Sequence, residues 1–308
     1  MRVSSSCHSH HGGQCTGPRY HGAPIAAVYT AARARYRSRV PHVEIAESPL
    51  LPGTRPIELY VRDVGPRDGA PLLVLHGGWG YAYYPFDAQI AALPERRVLI
   101  PDRTGYGKSR RIAALPPRFH QAAAVEHAAM LDALGIERCA IWGHSDGAII
   151  ATIMALRQPA RVSALIVEAL HVERVKPRSR AFFEAMVNDP AQFGPKVTAR
   201  LAAEHGDDYW RTVLAADGQA WLDIAATPDD DLFDHRLGEL AVPVLVVHGA
   251  EDPRTEPGEL DRVARALPRA VMRVIAGAGH SPHSERASSA EVTAAAVSFL
   301  AAVGPGHR

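Results

Sequence analysis

Residues Cys139 to Ile150, C-A-I-W-G-H-S-D-G-A-I-I, constrain this chain more than any other stretch. A short apolar run enters Gly143-His144-Ser145-Asp146-Gly147. A second leaves it, continues to about Gln158 and stops before Pro159. The first has the length of a buried strand and the second the length of a buried helix. A serine between two glycines, where a strand turns into a helix, is the nucleophile elbow. Such a turn holds the serine in a strained backbone conformation that lifts its hydroxyl above the sheet, and small neighbours let the chain bend that tightly. The helix that follows brings N–H groups and a positive dipole end to the place where an oxyanion would form.

A hydroxyl is a poor nucleophile until a base takes its proton, so the rest of the chain must supply one. Val242 to His248 is an apolar strand pattern that ends in Gly249-Ala250-Glu251-Asp252-Pro253. Ala270 to Ile275 is another, ending in Gly277-Ala278-Gly279-His280. With His76-Gly77-Gly78-Trp79-Gly80 and Asp102-Arg103-Thr104-Gly105-Tyr106-Gly107-Lys108-Ser109, these motifs make the chain resemble the α/β-hydrolase fold superfamily from about Arg55 to Leu300. The resemblance implies an α/β fold: a mostly parallel, doubly wound sheet with an inserted helical cap. It also implies a triad in the chain order Ser145, Asp252, His280. Glu168 and Glu173, after the preceding strand, compete with Asp252 for the role of the acid. Asp252 is preferred because it ends the next strand in a tight turn.

Two N–H groups are expected to form the oxyanion hole: that of Gly78, with Trp79 as its near alternative, and that of Asp146, the residue after the nucleophile. Trp79 is also a candidate substrate contact. Asp102 is expected to brace a loop, and His144 to pack beneath the elbow. Asp146 has two readings, as an acid starting a helix or as a pocket carboxylate that attracts a cationic group. The segment 171–235 falls between two core strands and carries charges and aromatics, with helical spacing around Ala181–Val187 and Val197–His205. It reads as the cap. Its aromatics are assigned to cap packing rather than to the pocket wall.

Composition excludes several classes. The formal net charge is +1, which gives no reason to expect nucleic acid, and no apolar run approaches membrane-spanning length. Cys139 falls in a buried strand, leaving Cys7 and Cys15 as a conceivable pair, so a cytoplasmic setting is the default. Residues 1–43 contain no acid and carry a formal +6, leaving −5 for the rest. They are read as a disordered basic extension that activity does not need. The cluster His8, His10 and His11 lacks rigid flanks to hold a metal. The core is expected at 44–170 and 236–303. The expected activity is hydrolysis of a small ester, lactone, thioester or amide through a seryl acyl-enzyme, with a small-molecule substrate and no cofactor or metal. His280 is expected to titrate in the neutral range usual for histidine. Acyl transfer, cofactor-free perhydrolysis, or a ligand-binding receptor on the same scaffold stay open. Haloalkane dehalogenase and epoxide hydrolase chemistry is disfavoured, because it needs a carboxylate at position 145.

Overall fold

The computed structural model describes residues 42–227 and 231–304. Eight strands form one sheet in the order β1-β2-β4-β3-β5-β6-β7-β8. They are β1 (His42–Ile45), β2 (Ile57–Val64), β3 (Pro71–Leu75), β4 (Arg97–Pro101), β5 (Cys139–His144), β6 (Val162–Glu168), β7 (Val244–Gly249) and β8 (Val271–Ile275). β1 pairs antiparallel with β2, and β2 antiparallel with β4. Every later pairing is parallel. The alternation seen in Ile57–Val64 is that of this antiparallel margin, whereas Pro71–Leu75 and Cys139–His144 are apolar throughout because both faces are covered. β1 begins at His42, just before the expected start of the core. The rest of the 1–43 extension, with Cys7, Cys15 and the histidine cluster, lies outside the described residues.

Side-chain alternation divides the core between the two faces of the sheet. Leu73, Leu75 and Ile141 join one cluster, which includes Ala148, Ile149 and Ile153. Leu72, Val74 and Trp142 join the other, with Val292, Ala296 and Leu300. Burying each large apolar side chain stabilises the fold by roughly 1.5–3 kcal/mol. The helices on these faces are α1 (Asp87–Ala91), α2 (Phe119–Ala133), α3 (Asp146–Arg157), α7 (Glu259–Ala266) and α8 (Ser289–Ala302). α3 is buried continuously from Asp146 to Ala155, which explains why it carries no polar stripe.

Between β6 and β7 stand the cap helices α4 (Arg180–Asn188), α5 (Pro195–His205) and α6 (Trp210–Ala225). α4 and α5 match the helical spacings read from the sequence. α6 was not anticipated as a helix, although Trp210, Val213, Leu214, Asp217, Trp221 and Ile224 form its buried stripe. Gly218 lets α6 press against α4, since a Cβ there would stand 2.7 Å from the Phe183 carbonyl oxygen. Through Trp79, Phe183, Leu214 and Trp221 the cap shares the apolar cluster of the sheet.

Candidate active site

The elbow forms where β5 meets α3. Ser145 has φ 55° and ψ −120°, a left-handed region that costs a non-glycine residue on the order of 1–3 kcal/mol. Its flanking glycines are required by contact. A Cβ on Gly143 would lie 2.1 Å from the Gly147 carbonyl oxygen, and one on Gly147 would lie 2.1 Å from that of Leu75.

The loop after β8 brings His280 to the serine, with Nε2 at 3.0 Å from Ser145 Oγ. Its Nδ1 lies 2.8 Å from Asp252 Oδ2, in the turn after β7. An ionised carboxylate only accepts, so Nδ1–H donates to Asp252 and Nε2 is left to accept the serine proton. Burial alone would raise Asp252, but the adjacent His280 and the Arg254 N–H hold it well below the usual carboxylate range. Burial, followed by the nearby Arg254 guanidinium, pushes His280 down to about 3, against the opposing pull of Asp252. The neutral-range titration expected from the residue type is therefore displaced downwards.

The competing acids are engaged elsewhere. Glu168 Oε1 accepts from His283 Nδ1 at 2.6 Å and from the His283 N–H at 3.0 Å. Glu173 pairs with Arg262 at 3.1 Å. His144 is buried beneath the elbow, its Nε2 lying 3.1 Å from the His280 carbonyl oxygen and 2.9 Å from Ser281 Oγ. It thus ties the elbow to the histidine loop. Asp102 accepts from the Lys108 N–H at 3.0 Å and from Arg62 at 2.9 Å, bracing its loop. The groups His144/Glu168/His283 and His171/Asp252/His280 each bring ligand-type atoms within 4.8 Å of one another. The Glu168–His283 and Asp252–His280 hydrogen bonds already occupy these sets.

Gly78, Trp79, Ser145 and Asp146 line one cavity, with about 30 Å³ of space for water-sized groups, on the order of two molecules. The Gly78 N–H has no acceptor among the described residues. The Asp146 N–H opens α3, where no carbonyl four residues back lies within the helix. Contrary to the expectation for the cap aromatics, Phe182, Phe183 and Trp221 line this cavity as well as packing the cap. Phe182 stacks on Trp79 at 5.5 Å, and Phe183 on Trp221 at 5.3 Å.

Neither reading of Asp146 describes its carboxylate fully. It borders the cavity, yet Oδ2 accepts from Arg103 at 3.1 Å, and Oδ1 accepts from His120 and from the Trp221 indole, each at 3.1 Å. It therefore joins core to cap. Asp217 of α6 lines the same cavity, and its pKa is raised well above the ordinary value by burial and by Asp146. Sequence reasoning missed Asp217, Arg103 and His120. The one available signal for Asp217 was an acid within the apolar stripe of a cap helix. A second missed network lies beside His280. The buried Lys176 ammonium contacts Glu259 at 2.8 and 2.9 Å and His171 Nδ1 at 3.1 Å, and His171 stacks on His280 at 5.6 Å.

Larger grooves lie at the starts of the parallel strands, around Pro71, Arg97 and Cys139 and around Val244 and Ala270. Ser145 is at the opposite, carboxyl end, where open α/β sheets bind ligands.

Comparison with known proteins agrees with this architecture. The chain is 28% identical over 204 residues to the serine hydrolase BPHL of Mus musculus, covering 64% of this chain and 68% of that protein. It is 28% identical to epoxide hydrolase A of Mycobacterium tuberculosis, covering 81% of this chain and 96% of that one. A thermophilic esterase from Thermogutta terrifontis superposes with a TM-score of 0.66 at 25% identity, covering 86% of this chain and 99% of the esterase. The profile described as "Alpha/beta hydrolase family" matches residues 72–296. This chain, with its elbow, its mostly parallel sheet and its inserted cap, belongs to the alpha/beta hydrolase family.

Proposed function

We propose that the protein is a serine hydrolase that cleaves a small carboxylic ester, or a lactone, thioester or amide of similar size, through a seryl acyl-enzyme. The observation that carries this reading is the continuous hydrogen-bonded chain Ser145–His280–Asp252, with links of 3.0 and 2.8 Å. His280 Nε2 takes the Ser145 proton as Oγ attacks the acyl carbon. Asp252 fixes the imidazole tautomer and stabilises the imidazolium that forms. The Gly78 and Asp146 N–H groups hold the developing oxyanion. The imidazolium then protonates the leaving group. In the second half-reaction, His280 activates water against the acyl-enzyme and the acid product leaves.

The residue at the elbow favours acyl chemistry over the alternatives among the relatives' names. A serine hydroxyl gives an acyl-enzyme, whereas opening an epoxide or displacing a halide needs a carboxylate nucleophile there. Rapid-quench kinetics with p-nitrophenyl acetate test the proposal. A burst of p-nitrophenol equal to the enzyme concentration, followed by slower turnover, is expected. Turnover that survives in Ser145→Ala would contradict it.

A further inference from the structure

One part of the cavity carries a positive charge with which no described residue forms an ion pair. Arg254, two residues after Asp252, places its guanidinium 4.1 Å from the centre of the Phe182 ring. It forms no ion pair with any described residue, and only its backbone N–H is hydrogen-bonded, to Asp252. Ser179, at the start of the cap, borders the same cavity; it is 2% exposed and its buried Oγ has no hydrogen-bond partner among the described residues. The segments that carry these two residues are stitched together. The Arg178 N–H donates to Glu256 at 3.1 Å, and Arg178 Nη1 donates to the Thr255 carbonyl oxygen at 2.8 Å. A guanidinium and a hydroxyl with no partner among the described residues thus border one cavity, together with Trp79 and Phe182.

The acids of the cavity do not neutralise this charge. Asp146 is paired with Arg103 at 3.1 Å. Burial and Asp146 keep the proton on Asp217. An uncompensated cation this close to the base also has a chemical cost, because Arg254 is the first neighbouring charge that lowers His280. A bound anion would offset the Arg254 share of that lowering and leave burial as its main cause.

We propose that Arg254 and Ser179 form an anion-recognising subsite that takes a carboxylate on the acyl part of the substrate. The preferred substrates would then be hemiesters of short dicarboxylic acids, or lactones bearing a carboxylate. A guanidinium offers a planar donor fork that matches a carboxylate, and the hydroxyl supplies a further donor. Trp79 and Phe182 would cover the short hydrocarbon between that carboxylate and the reacting carbonyl. This inference rests on the serine hydrolase reading for its chemistry, but its binding step can be measured separately.

The test compares monomethyl glutarate with methyl valerate, following ester loss by proton NMR, in wild type, Arg254→Gln, Arg254→Lys and Ser179→Ala. The expected wild-type ratio of kcat/KM favours the hemiester by roughly tenfold or more, carried mainly by KM. Arg254→Gln should abolish the ratio, Arg254→Lys keep part of it, and Ser179→Ala reduce it. In parallel, titration calorimetry of glutarate into Ser145→Ala should detect binding that is lost in Ser145→Ala/Arg254→Gln, with thermal melting used to check that each variant is folded. A wild-type preference for methyl valerate, an unchanged ratio in Arg254→Gln, or no glutarate binding would overturn the subsite. Absence of both ester turnover and fluorophosphonate labelling at Ser145 would instead defeat the hydrolase reading, and glutarate calorimetry would still decide whether the subsite exists.

Discussion

Replacing Asp146 by Ala should cost far more stability than an acid at a helix start can account for. That position alone contributes roughly 0.3–1 kcal/mol through the helix dipole. Here the carboxylate accepts from Arg103, His120 and Trp221, each at 3.1 Å, and the Arg103 and Asp146 side chains are 2% and 1% exposed. Deleting it leaves a guanidinium buried without its partner, a change that typically costs about 3–5 kcal/mol. Asp217 sets the lower end of that range. Without Asp146 to hold its proton, it can ionise in the field of Arg103 and replace part of the lost pairing. The double variant Asp146→Ala/Asp217→Asn should therefore lose more than Asp146→Ala alone. Urea unfolding at pH 7 measures both, and the single change should lower Tm by roughly 5–15 °C. The same pair sets a pH dependence. The folded pKa of Asp217 is raised, so its contribution is fully present below the unfolded value and is lost as pH rises through the folded one. Asp217→Asn should flatten the alkaline side of the stability profile. A loss below about 1 kcal/mol in Asp146→Ala, with no further loss in the double variant, would refute this account of the pair.

Two further expectations concern the reaction. His280→Ala and Asp252→Asn should each lower kcat by roughly three to four decades while circular dichroism stays native; wild-type rates in Asp252→Asn would remove that acid from its role. Because protonated His280 cannot accept the serine proton, activity should fall only as pH drops through its depressed pKa, near 3. The acid limb should thus lie well below the ordinary histidine range, and should move upward in Arg254→Gln. An acid limb at about 6.5 in both proteins would show that burial and Arg254 do not act on the imidazole as described.

Much of the scaffold was legible because its signals are local. β7 and β8 form within two residues of the bounds read from their apolar runs. Gly143, Ser145 and Gly147 were legible as a five-residue pattern, although the contact that demands Gly147 is with the Leu75 carbonyl. Ser145, Asp252 and His280 could be nominated from strand ends, and the fold does bring them within hydrogen-bond distance. What escaped notice depends on contacts between distant segments. Asp217 acts on Asp146 from a cap helix, which no local pattern in the sequence announces. Lys176 finds Glu259 across 83 positions of sequence, with no periodicity to announce it. Arg254 reads as an ordinary turn residue until it is seen to pair with no acid among the described residues. The cap aromatics were assigned to packing alone because helical spacing does not distinguish a side chain that packs from one that also borders a cavity.

The central claim is that Ser145 is the nucleophile, activated by His280 and Asp252. The most direct measurement is mass-spectrometric mapping of the protein after treatment with a fluorophosphonate probe, in wild type, Ser145→Ala and His280→Ala. The account predicts one adduct per chain, on the peptide containing Ser145, absent from Ser145→Ala and strongly slowed in His280→Ala. An adduct that persists on another serine in Ser145→Ala, or labelling of Ser145 at the same rate without His280, would contradict it.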